Sequence, residues 1–378
     1  MELTLVFSLL FLSSLQGVTS DSHITSLFTL GDSYIDAGNF VIMAAQLVPP
    51  FPVWHDKPPY GMTFFGHPTG RLSDGRIITD FIAEQFGLPL LGASLLNNSD
   101  VSNGVNFAVG GATAIDVDYY ERNKLVQFKL LNNSLNVQIG WFEELKPTIC
   151  NTTKEQLVNT GCGGCFTKAL FFVGEFGVND YNFVWNAGKT EDEVMSYVPE
   201  VVKNIAIAVE RLINEGAVYV IVPGNPPNGC SPTMLTFRSS LNQTEKYDHM
   251  GCLNDMNRVA RQHNAMLNAS IGVLRGKYPH ARIIFADFYK PIISILQSPS
   301  CFGVARANAL RACCGGGGEY NWNATAVCGM PGVTACKDPS AFISWDGVHY
   351  TEAIYRRIVK GWLYGPFADP PILSVIRH

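Results

Sequence analysis

With 378 residues, 47% hydrophobic and 16% charged, the chain carries ample material for a packed core and falls outside the disordered class. Its 27 basic and 32 acidic residues leave a net charge of −5 with no basic block, which argues against nucleic acid and anionic membrane as partners. Length alone allows two domains, but residues of catalytic character lie near both ends, so one domain whose sheet gathers them is the simpler organisation.

Leu3 to Leu15 is apolar yet too short to span a bilayer comfortably, and small residues follow at Gly17 and Ser20. The segment 1–20 reads as a secretory signal peptide, although Glu2 stands where a basic residue is usual. No later run is long and apolar enough to cross a bilayer, and residues 24–368 read as one domain. Ile24 to Leu30 has the short, β-prone, apolar pattern of a buried strand. Gly31 permits a sharp turn after it, and Ser33 stands where a helix could begin, at the edge where open α/β sheets place ligands. Val48 to Arg71 is rich in proline and aromatics and cannot be regular structure. Gly70 to Arg76 leads into a helix with Ile77, Ile78, Phe81, Ile82 and Phe86 on one face. Arg71 and Arg76 are expected to pair with Asp74 or Asp80. The alternation continues with a strand Gly104 to Val109, a helix Val137 to Leu145 and a strand Ala169 to Gly174. A helical run Glu191 to Glu215 precedes a strand Ala217 to Val222, and a stretch Cys252 to Lys277 precedes a strand Ala281 to Ala286. Ile354, Ile358 and Val359 mark a final helix. Strands alternating with helices predict an α/β fold with a mostly parallel sheet covered on both faces.

Taken alone, Gly31-Asp32-Ser33 is better explained as a helix cap than as a nucleophile turn. The far end of the chain shifts that balance. In Ser344-Trp345-Asp346-Gly347-Val348-His349, the acid lies three residues before the histidine, so it can hold one imidazole nitrogen and leave the other for a serine. Two blocks lie between: Asn103-Gly104-Val105-Asn106-Phe107-Ala108-Val109-Gly110-Gly111-Ala112-Thr113 and Gly174-Glu175-Phe176-Gly177-Val178-Asn179-Asp180-Tyr181. These four blocks, in this order from Leu27 to Ala353, resemble the GDSL esterase/lipase family, within it the SGNH hydrolases and their plant secreted branch. Tyr34 stands where that family has leucine, a departure that bears on subsite shape and not on the turn.

The resemblance implies a flavodoxin-like α/β/α three-layer fold. It also implies Ser33 as nucleophile, Asp346 and His349 completing a triad, and Ser33, Gly111 and Asn179 as oxyanion donors. Gly111 is chosen over Gly110 by its register with Asn106. A backbone N–H reaches a developing oxyanion where no Cβ intervenes, and an asparagine amide can donate to the same oxygen. In the family the Val48 to Arg71 segment borders the active-site mouth.

All ten cysteines lie beyond the signal: Cys150, Cys162, Cys165, Cys230, Cys252, Cys301, Cys313, Cys314, Cys328 and Cys336. Their even number in a secreted chain favours structural disulfides, and Cys162-Gly163-Gly164-Cys165 lacks a partner pair at zinc-finger spacing. Cys313 to Gly318 reads as a flexible loop held by disulfides, not a phosphate loop. Glycosylation sequons begin at Asn97, Asn132, Asn151, Asn242, Asn268 and Asn323. His55, His67, His249, His263 and His280 show no ligand spacing.

The expected protein is therefore a secreted serine esterase, placed in the cell wall or apoplast, or in a secretory lumen or vacuole. It needs no metal or organic cofactor, is monomeric, and acts through an acyl-enzyme on an acetylated cell-wall sugar, an acylated metabolite or a lipid. An acyltransferase on the same site is the alternative. A catalytically silent glycoprotein is disfavoured, because every expected catalytic residue is present.

Overall fold

The computed structural model describes residues 24–47, 52–96, 100–126, 131–152, 164–239 and 247–376. The signal segment 1–20 lies outside them. Strands β1 (Ser26–Leu30), β2 (Gly104–Asn106), β3 (Ala169–Val173), β4 (Tyr219–Pro223) and β5 (Arg282–Ala286) form a parallel sheet in the order β2-β1-β3-β4-β5. A short ribbon of β6 (Cys314–Gly315) and β7 (Thr334–Ala335) lies apart from it, and β8 (Ala368–Asp369) adds an antiparallel edge beside β5. This is the flavodoxin-like order, in which ligands bind beyond the carboxyl ends of the strands where the order reverses beside β1.

Among the described residues the α-helices are α1 (Asn39–Gln46), α2 (Ile78–Gln85), α3 (Val117–Arg122), α4 (Leu135–Ile149), α5 (Val178–Asn186), α6 (Glu191–Met195), α7 (Val198–Asn214), α8 (Pro232–Ser239), α9 (Asn254–Lys277), α10 (Tyr289–Gln297), α11 (Glu352–Tyr364) and α12 (Ile372–Ile376). Successive strand residues go to opposite faces, and both faces are buried. Phe28, Phe171, Val220 and Ile283 join one core with α4, α7 and α9, while Leu27, Leu170, Ile221 and Ile284 join another with α2, α10 and α11. That is why the strands are unbroken apolar runs, not alternating ones.

Several expected boundaries move, each for a local reason. No helix begins at Ser33: residues 33–35 turn once, with the Ile35 N–H on the Asp32 carbonyl at 3.2 Å, and α1 starts at Asn39. Asp36 sets that start. Its carboxylate accepts the N–H groups of Gly38, Asn39 and Phe40 at 2.6, 2.7 and 3.0 Å, and that of Gly110 at 2.7 Å. β2 stops at Asn106, not Val109, yet the N–H groups of Phe107 and Val109 still donate to the Thr29 and Gly31 carbonyls at 2.7 and 3.1 Å. The run Glu191 to Glu215 divides into α6 and α7 because Pro199, in the first turn of α7, offers no N–H to an unbroken ladder. The helix at Ile354 is not the last, since β8 and α12 follow it. Cys314 and Gly315 are strand, not free loop.

Arg71 pairs with Asp80 as expected, through two bonds of 2.8 Å. Arg76 does not follow the expectation. It bonds Glu84 at 2.6 Å and Glu352 at 2.8 Å, because α11 lies beside α2. Asp74 accepts the Glu352 N–H at 2.8 Å and so caps α11.

Disulfides join Cys150 to Cys165, Cys230 to Cys252, Cys313 to Cys336 and Cys314 to Cys328. Cys162 lies outside the described residues. Cys301 is exposed and has no partner among them, which departs from the expectation that every cysteine is bonded. Asn132, Asn151, Asn268 and Asn323 are exposed, and Asn97 and Asn242 lie outside the described residues.

His263 is fully buried on α9, with its Nδ1 2.7 Å from the Tyr181 hydroxyl. Burial lowers its pKa from 6.5 to about 3. Between those values the unfolded chain binds a proton that the folded chain refuses, so the stability this group contributes is present above the upper value and is lost as pH falls. Urea unfolding followed between about pH 7 and 4 should show a shallower acid loss in His263→Gln, by up to ~1.4 kcal/mol per pH unit. An unchanged slope would contradict this reading.

Candidate active site

Three strand ends meet at the reversal beside β1. Ser33 lies on the turn after β1, Gly111 on the turn after β2, and Asn179 in the first turn of α5 after β3. The loop between β7 and α11 brings Asp346 and His349 from the far end of the chain.

Asp346 and His349 form the closest pair. Asp346 Oδ2 lies 2.7 Å from His349 Nδ1, and Oδ1 accepts the N–H groups of Val348 and His349 at 3.0 and 2.9 Å. Tyr60 donates its hydroxyl to Oδ2 at 2.8 Å. Burial pushes the Asp346 carboxyl up, but the charge and hydrogen bonds of His349, with a smaller contribution from His55, hold it well below the usual carboxylate range. An ionised acid at Nδ1 assigns the proton there and leaves Nε2 with its lone pair. Nε2 is buried and has no partner among the described residues. Ser33 is 8% exposed, and the ring of the next residue, Tyr34, lies 5.6 Å from the His349 ring. The turn that carries Ser33 thus packs against the histidine through Tyr34, and Ser33 Oγ forms no hydrogen bond among the described residues.

The two adjacent glycines have different tasks. The Gly110 N–H is committed to Asp36, while the Gly111 N–H has no acceptor among the described residues. Gly111 has φ +82°, and a Cβ there would meet nothing within 4 Å. The left-handed backbone conformation there by itself favours glycine. The Asn179 amide donates to Asp32 Oδ2 and to the Ala112 carbonyl, both at 3.0 Å. It thus clamps all three strand-end loops, and both of its amide hydrogens are engaged.

Other contributors carry no sequence signature. Gln138, inside α4, accepts the Gly31 N–H and donates to the Gly31 carbonyl, both at 2.8 Å, fixing the residue before Asp32. The proline and aromatic loop braces the site through Tyr60, and just beyond the loop the Ser73 hydroxyl donates to the Tyr350 carbonyl at 3.0 Å. His55, set aside in the sequence, has its ring 6.5 Å from that of His349 and packs against Phe40 and Tyr60. Burial lowers its pKa to about 4, so it stands beside the pair as a neutral ring. The disulfide-rich segment supports the same loop from below: Cys313 and Cys314 donate their N–H groups to the Ser344 and Trp345 carbonyls at 3.0 and 2.7 Å.

A parallel α/β sheet with a serine turn, an ionised aspartate holding a histidine and an unengaged backbone donor at its carboxyl edge suits acyl chemistry. The model of the GDSL-like lipase/acylhydrolase family matches residues 27–362. A GDSL esterase/lipase of Arabidopsis thaliana is 42% identical over 352 residues, covering 91% of each chain. Another from that plant is 40% identical over 367 residues, covering 97% of this chain and 90% of the relative. The chain belongs to the GDSL esterase/lipase family, and its activity is that of a carboxylic ester hydrolase.

Tyr60→Phe removes a donor from a buried charge without changing shape. It should cost about 1.5–3 kcal/mol of stability and lower kcat with KM little changed, because the Asp346 carboxylate loses one of its fixed partners. Matched denaturation and kinetic measurements check this. A variant equal to the parent in both would leave Tyr60 without a part in the site.

Proposed function

We propose that the protein is a secreted serine esterase working through an acyl-enzyme on Ser33. The observation that carries this reading is the buried, unpartnered His349 Nε2, on a ring held by Asp346 and packed against Tyr34, the neighbour of Ser33. His349 takes the hydroxyl proton as Ser33 Oγ attacks the ester carbonyl carbon. Charge on the carbonyl oxygen is met by the Ser33 and Gly111 N–H groups and a hydrogen of the Asn179 amide. His349 returns the proton to the leaving alcohol as the C–O bond breaks. It then takes one from water, whose oxygen attacks the acyl carbon, and gives it to Ser33 Oγ as the acyl–oxygen bond breaks and the acid is released.

The disulfides, four exposed sequons and the apolar segment at Leu3 to Leu15 support passage through the secretory pathway. Among the described residues no helix is long and apolar enough to cross a membrane. Substrates of the proposed class are acetylated cell-wall sugars, acylated metabolites and lipids.

Ser33→Ala should retain the circular dichroism of the parent and lose at least ~10⁴-fold in kcat. Asn179→Ala should lose roughly 10²–10³-fold in kcat with KM little changed. Near-parental turnover by the serine variant removes the nucleophile assignment. A rise in KM alone for the asparagine variant makes Asn179 a substrate-binding residue. Supplying one donor ester with rising concentrations of sugars, sterols and hydroxylated pigments separates hydrolysis from transfer. Free acid should remain the main product, and diversion of most acyl groups to one acceptor at low concentration would establish a transferase instead.

A further inference from the structure

Behind the serine turn lies a second pair of acids that the ester mechanism does not use. Asp32 and Glu175 are each 1% exposed, and their carboxyl groups lie within hydrogen-bonding reach of each other. Neither forms an ion pair among the described residues. Two buried carboxylates so placed repel each other when both are ionised, which favours one proton held between them.

The hydrogen bonds say where it resides. Glu175 Oε1 already accepts the Val178 N–H at 3.2 Å and a second hydrogen from the Asn225 amide, whose other hydrogen goes to the Phe176 carbonyl at 2.9 Å. Glu175 Oε2 is buried and finds no donor. A proton on Oε2, given to Asp32, satisfies it. Asp32 in turn accepts the Tyr34 N–H and, through Oδ2, the Asn179 amide, each at 3.0 Å.

We propose that Glu175 carries a proton, donates it to Asp32, and thereby sets how tightly Asp32 holds the Asn179 amide. Glu175 is then a positioning residue for an oxyanion donor, an inference that rests on the proposed ester mechanism. A carboxylate that already receives a charge-assisted bond is a weaker acceptor for the amide, so the amide hydrogen is freer to turn toward the developing oxyanion. Loss of the proton would tighten that grip and add a second negative charge beside the oxygen where charge must form. The surroundings favour keeping the proton. Burial and Asp32 raise Glu175 well above its usual range, with Asp180 acting in the same direction. Burial also raises Asp32, to which Asp36 adds, while His349 acts oppositely. The tyrosines facing the pair, Tyr34, Tyr181, Tyr350 and Tyr355, have raised pKa values and stay neutral.

Glu175→Gln keeps both an acceptor for Asn225 and a donor for Asp32, whereas Glu175→Ala keeps neither. The alanine variant should lose about ten- to a hundredfold in kcat at unchanged KM, the scale of a misplaced donor, and the glutamine variant should restore most of that loss. Infrared difference spectra of parent against Glu175→Gln at neutral pH should show a protonated carboxyl C=O band that shifts in heavy water and vanishes in the variant. A glutamine variant as impaired as alanine, or the absence of that band, overturns the proposal. The band is read without turnover, so it also decides the question if the alanine variant fails to fold. Were Ser33 not the nucleophile, the band would persist while the ester mechanism failed, which separates the two claims.

Discussion

Everything at this site depends on keeping one carboxylate ionised out of water. An isolated buried acid would take up a proton instead of bearing the cost of desolvation. Asp346 escapes that outcome because Val348, His349 and Tyr60 together direct four hydrogens at its two oxygens. Two of those donors are backbone groups of the same loop, so the loop must hold one conformation. Gly347 makes that conformation possible: it has φ +103°, and a Cβ there would lie 2.2 Å from Trp322 Cδ1. The disulfides beneath the loop and the aromatic segment beside it then fix its position against the serine turn.

The side of the site that carries Ser33 shows the same economy with different groups. Parallel strands deliver Ser33, Gly111 and Asn179 to one edge, but strand ends are loops, and loops move unless tied. Asp36 ties the turn after β1 to Gly110, and Asn179 ties Asp32 to Ala112. Asn39 reaches the Asn106 and Ala108 carbonyls at 2.8 and 2.9 Å. These short polar side chains replace the backbone ladder where the strands diverge. They also explain why the Gly110 N–H is spent on structure while the Gly111 N–H remains available.

Much of this was legible in the sequence, and the remainder was hidden for identifiable reasons. Apolar runs such as Ala169 to Val173 declare a strand buried on both faces, and the motif blocks mark the loops that the fold gathers at one edge of the sheet. The ends of elements were less legible, because they are set by side chains acting across the chain. Asp36 delays α1, and Asp74 caps a helix nearly three hundred residues later in the sequence. Gln138 looks like any polar residue within a helix, and its bonds to Gly31 depend on how α4 packs behind β1. Tyr60 and His55 belong to an irregular loop whose path no periodicity encodes. The Asp32–Glu175 contact needs β1 and β3 to be neighbours, a fact of topology and not of spacing.

The central claim is that Ser33 carries the acyl group during turnover. The direct measurement is rapid acid quenching of the enzyme during hydrolysis of a chromogenic ester, followed by intact-mass analysis and peptide mapping. The account predicts a transient species heavier by the acyl group, with the added mass on the peptide containing Ser33, formed as fast as the first equivalent of alcohol is released. Turnover with no such species during the burst, or an adduct on another residue, would contradict it.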